Sequence, residues 1–106
     1  MISRHWKGIV KVDMADAYLN HLQKETFSRL NRLAGFHSAS VLKRSVTGGY
    51  EFVVITQWDS LAAISQFAGT DIGKAVVPPI VQQMMIEFDD RVVHYEVKME
   101  FCGSNR

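Results

Sequence analysis

SASVLKRSVTGGYEFVVITQW (residues 38–58) holds two runs rich in β-branched and aromatic residues, 38–45 and 50–58, on either side of VTGG. Paired glycines allow the positive φ angles of a tight reversal, so the stretch predicts a β-hairpin. The second arm decides what surrounds it. Tyr50, Phe52, Val54 and Trp58 share one parity, while Val53 and Ile55 share the other, so both faces of this strand carry apolar groups. An antiparallel sheet with one wet face should instead alternate apolar and polar side chains.

On the N-terminal side of the hairpin, RHWKGIVKV (4–12) predicts a first strand, with Trp6, Val10 and Val12 on one parity and Ile9 on the other. The period then lengthens: Ala15, Leu19, Leu22, Thr26, Leu30 and Leu33 recur every three or four residues, which predicts one helix over about 14–33. Asp13 is its candidate N-cap, Gly35 its candidate C′ residue and Phe36 the accompanying hydrophobic contact. On the C-terminal side, DSLAAISQFAG (59–69) predicts a short second helix capped by Ser60 and stopped at Gly69. Residues 70–85 read as a helical stretch broken by Pro78 and Pro79, which lack backbone N–H groups. DRVVHYEVKM (90–99) predicts a fourth strand, with Arg91, Val93, Tyr95 and Val97 on the parity facing the apolar side.

The resulting order, β-α-β-β-α-β, predicts an α+β, ferredoxin-like domain over residues 1–100, followed by a polar tail at 101–106 that frays. Right-handed crossovers give a four-stranded antiparallel sheet in the order 4-1-3-2 with both helices on one face. The apolar second face predicts a cover, supplied by another copy of the chain in a two-fold homodimer.

At 106 residues the chain makes a single domain, and 12 Lys and Arg against 11 Asp and Glu leave no basic stripe for nucleic acid. No run approaches the about 20 apolar residues of a membrane span, and the first residues lack the apolar core of a signal peptide. The lone Cys102 permits no internal disulfide, which favours a reducing, cytoplasmic setting. His21 and His37 stand near no convincing set of carboxylates or cysteines with metal-ligand spacing, so no metal site is expected, and no glycine-rich phosphate loop is present.

Strand one with its Trp6, AGF (34–36), FVVITQWDSLAAISQFAG (52–69), AVVPP (75–79) and FDDRVVHYEV (88–97) together resemble the antibiotic biosynthesis monooxygenase family of dimeric α+β barrels. The resemblance spans Met1 to about Val97. It implies a cofactor-independent monooxygenase acting on a small aromatic, phenolic or quinol-type compound, hence an oxidoreductase. The family also includes members with no assigned reaction, which leaves a non-catalytic ligand-binding or stress-associated dimer as the alternative. One branch degrades haem with an Asn on strand one, a Trp on the second helix and a haem-ligating His. Trp6, Phe67 and Val77 stand at those positions here, so neither haem nor another cofactor is expected.

For a site, His94 is a candidate general base that strand one could bring close to His5, or else a solvated or interface residue. Tyr95 lines the pocket or belongs to the core, buried in either case with its hydroxyl near a partner. Arg44 and Arg91 could hold an anionic group, or sit at the surface. Trp6, Phe52 and Phe67 could line an aromatic pocket between helices and sheet, as could Trp58, or simply fill the core. Catalytic candidates are thus His94 and Tyr95, and substrate-binding candidates Trp6, Phe52, Phe67, Arg44 and Tyr95.

Overall fold

The computed structural model describes residues 1–104; Asn105 and Arg106, the end of the expected 101–106 tail, lie outside the described residues. The hairpin forms from β2 (Phe36–Val46) and β3 (Gly49–Trp58), joined by Thr47 and Gly48. Gly48 takes φ +82°, a value that L side chains adopt at a cost. Gly49 is needed for a different reason: a Cβ there would lie 2.4 Å from the Val10 carbonyl oxygen of the neighbouring strand.

β1 (Ile2–Lys11) is central, antiparallel to β3 along its full length. Its other edge is shared by two short strands, β4 (Met85–Phe88) and β5 (Val93–Glu96). The order β2-β3-β1-β4, with β5 also on β1, is the expected 4-1-3-2 read from the opposite edge. What differs is the last strand, which begins at Met85, inside the stretch expected to be helical, and breaks over 89–92. There Asp89 N–H donates to the Lys7 carbonyl and Arg91 bridges to Lys74.

The expected single helix is composite: a 3-10 turn (Val12–Met14), α1 (Ala15–His21), a π turn (Leu22–Thr26) and α2 (Phe27–Leu30). The π turn inserts a residue into the repeat, so the buried stripe reads Ala15, Tyr18, Leu22, Leu30. Leu19, expected in that stripe, is exposed. Asp13 makes no capping bond, and α2 ends at Leu30, so Gly35 (φ +85°) reverses the chain within the following turn rather than capping the helix. In α3 (Leu61–Ala68) the Ser60 hydroxyl accepts from Ala63 N–H at 3.1 Å, and Gly69 follows at positive φ. Pro78 is extended and Pro79 opens the one-turn α4 (Pro79–Gln82), where a missing N–H costs nothing.

Both helical layers cover one face of the sheet. Val10 and Phe52 pack under Ala15, Tyr18 and Leu22, while Trp58 packs with Leu30 and Ile64. The other face carries Ile9, Leu42, Val53 and Ile55, and no helix lies over it. Among the described residues no helix is long and apolar enough to cross a membrane.

Candidate functional site

Between the composite helix and the sheet lies a narrow cleft with a cavity volume of about 70 Å³, smaller than an ordinary small-molecule site, that opens to solvent at its mouth. Trp6, Val54 and Thr56 from the sheet form its floor; Tyr18, His21, Leu22 and Phe27 form its roof; Phe67 and the Val76–Pro78 segment close one side. The π turn matters here, because it keeps both Leu22 and Thr26 turned toward the sheet instead of letting the stripe drift.

Trp6 is fixed by its indole N–H, which donates to the Asp89 carbonyl at 2.8 Å in the break between β4 and β5. Phe67 stacks on Trp58 with centroids 6.4 Å apart and takes two guanidinium groups on its ring, Arg29 at 5.0 Å and Arg4 at 5.9 Å. Tyr18 is only 2% exposed and meets Phe52 edge to face at 5.1 Å. Burial pushes its phenol above the ordinary range, so it stays protonated as a donor. Its hydroxyl has no hydrogen-bond partner among the described residues, and the side chain lines the cleft.

Arg4 is the cation of this site. It is 5% exposed, donates to the carbonyls of Ile72 and Lys74, and meets His94 Nε2 at 3.0 Å. Burial pushes its pKa down to about 10, which leaves it charged at neutral pH. Because a guanidinium only donates, His94 Nε2 must accept, which places the imidazole proton on Nδ1. Burial first, and the Arg4 charge second, push the His94 pKa down and keep the ring neutral.

The sequence-derived candidates therefore separate. Trp6 and Phe67 meet at the cleft, and Phe52 is fully buried beneath it. His94 stands behind Arg4 rather than in the lining. Tyr95, expected to be buried, is 55% exposed on the opposite face, where its ring meets His5 at 5.0 Å. Pairing of Arg4 with His94 and of Ser3 with Tyr95 fixes that parity, so His94 faces the helices and the expected Arg91–Val97 parity is reversed. His5 and His94 are accordingly on different faces. Arg44 is held at the surface by Glu51 (2.8 and 3.3 Å), and Arg91 by Asp71 (2.8 and 2.9 Å). Arg4, Tyr18 and His21 were not singled out from sequence. The only available signal was an arginine on the apolar parity of strand one, beside Trp6.

Residues 10–78 match the family model for antibiotic biosynthesis monooxygenase. No curated protein matches the sequence. Among solved structures, an antibiotic biosynthesis monooxygenase from Bacillus cereus, itself only putatively assigned, is 21% identical with a TM-score of 0.66, covering 99% of this chain and 98% of that one. A second antibiotic biosynthesis monooxygenase is 20% identical with a TM-score of 0.65, covering 92% and 98%. A mutant of MhuD with two manganese protoporphyrin IX bound per active site is 18% identical with a TM-score of 0.62, covering 97% and 100%. At such identities the structures speak for the fold, and the family model, matching well over half of the chain, speaks for membership. The chain belongs to the antibiotic biosynthesis monooxygenase family.

Proposed function

We propose that this protein is a cofactor-independent monooxygenase that binds a small phenolic or quinol-type aromatic compound in the cleft between the composite helix and the sheet. The observation that carries the reading is the cleft lining: aromatic walls from Trp6, Tyr18, Phe27 and Phe67, with a single imidazole, His21, among them. In this reading His21 takes a proton from the bound substrate. The resulting anion is electron-rich enough to reduce O2, one oxygen atom stays on the substrate as a new carbonyl, and the other leaves as water. In an anthrone-type substrate a ring CH2 becomes the C=O (CH2 + O2 → C=O + H2O), so the balance needs no added reductant; a hydroquinone, which has no such CH2, would instead give quinone and hydrogen peroxide. Tyr18 is a donor for the charge that develops on the substrate oxygen.

A haem-degrading role fits the residues less well. Val77 offers methyl groups where the family resemblance implies a ligating histidine, and Trp6, tied to Asp89, fills the floor.

The open face supports the dimer. Leu42, Val93 and Tyr95 are all about half exposed on it, apolar surface that a facing copy would cover.

Oxygen uptake with an anthrone and with a hydroquinone, in the presence of a chelator, tests the activity. Saturable uptake above the uncatalysed rate is expected, falling about 100-fold in His21→Gln, as loss of a general base does. A folded protein that binds these compounds without consuming oxygen would replace this reading with a non-catalytic binding protein.

A further inference from the structure

Arg4 has no carboxylate partner. The ion pairs among the described residues join His37 to Asp59, Arg44 to Glu51, Arg91 to Asp71 and Lys98 to Glu96, and none includes it. No Asp or Glu lines the cleft itself, and at its mouth Glu25 stands in the same lining as Arg29. A buried cation without an opposite charge is costly, and two carbonyl dipoles and a neutral imidazole offset only part of that cost. Three of the five guanidinium N–H groups are used, at Ile72, Lys74 and His94, which leaves the Nε hydrogen and one on Nη2 without a protein acceptor among the described residues. The same end of the cleft holds Phe67, and Arg29 at the mouth stacks on the other approach to that ring.

We infer that the cleft selects an aromatic compound carrying a carboxylate, with the carboxylate seated on the free N–H groups of Arg4 and the ring between Phe67 and Trp6. His94 is then a positioning residue: by accepting from Nη1 it fixes the plane of the guanidinium and leaves its other edge for the ligand. An anion passes Arg29 on the way in and comes to rest on Arg4. This rests on the cleft being the ligand site, and it adds a substrate class to that reading.

The test is isothermal titration of the full-length protein with 2-naphthoate and its neutral isostere 2-naphthamide. Wild type is expected to bind the carboxylate at least tenfold more tightly than the amide. In Arg4→Met the carboxylate and the amide should bind with the same affinity, whereas Arg29→Gln should keep the preference. Equal binding of both compounds to wild type overturns the inference while leaving the cleft intact as an aromatic site. A preference that survives in Arg4→Met or disappears in Arg29→Gln overturns the assignment to Arg4. If folded Arg4→Met loses both ligands equally, Arg4 serves only to clamp residues 72–74. If Arg4→Met does not fold, the wild-type ratio and Arg29→Gln decide. Should neither compound bind wild type, the cleft reading fails together with the inference.

Discussion

The two faces of the sheet use their aromatic and polar residues in opposite ways. On the helix-covered face Phe52 and Trp58 are sealed and the polar groups converge: Arg4 on His94 and on two carbonyls, the Trp58 indole on Thr56 at 2.8 Å. On the open face Tyr95, Leu42 and Val93 stay half exposed, and the polar groups form a thin chain in which Gln57 donates to Ser3 at 3.1 Å and Ser3 meets His5 at 2.8 Å. One face is a finished interior with a cleft in it. The other keeps apolar side chains half exposed.

The sharpest separation of the two faces is energetic. Phe52→Ala empties the floor under Tyr18 and should cost about 3–5 kcal/mol, read as a lowered denaturant midpoint with little change in slope. A cost below 1 kcal/mol would mean that the covered face is not the core. Next comes assembly. Ile55→Asp places a charge in the middle of the open face, opposite His5 and Ser40. Light scattering should then show wild type near twice 12.0 kDa and the variant near 12.0 kDa. A wild-type monomer would mean that the open face is finished as it stands.

The smallest effect is a pH dependence. The native pKa values of His5 and His94 are lowered, chiefly by burial. The unfolded chain therefore binds more protons than the native one as pH falls through about 6.5, and the stability supplied by neutral imidazoles, complete above that pH, is lost below it. His94→Gln should flatten the fall in thermal midpoint between pH 7 and pH 5 without abolishing it, because His5 remains. An unchanged slope would show that His94 contributes nothing to acid sensitivity.

Local pattern carried the hairpin and the Ser60 cap, because each depends on residues adjacent in sequence, and the β-α-β-β-α-β order with right-handed crossovers carried the strand order. The parity of the last strand was not legible: Val92-Val93-His94-Tyr95-Glu96 has apolar and polar members on both parities, and what sets it is the break at 89–92, anchored to Lys7 and Lys74. Tyr18 was missed because Ala15, Tyr18, Leu22 and Ala15, Leu19, Leu22 both fit a helical repeat, and the apolar leucine was preferred to the phenol. Trp6 and Phe67 were named from the family resemblance together with strand parity. Arg4 could not be, because its meaning comes from His94, ninety residues away along the chain.

The central position of β1 bears on how the domain is made. Its neighbours lie at 49–58 on one edge and at 85–88 and 93–96 on the other, so the strand that carries Arg4 and Trp6 has no nearby segment to pair with when it leaves the ribosome. Long loops must close before the sheet repays their entropy, which makes for slow folding. The strand β5 is the last of the sheet to be synthesised, and with it comes the imidazole that orients Arg4. A chain truncated before residue 93 would thus lack the partner that fixes the Arg4 guanidinium.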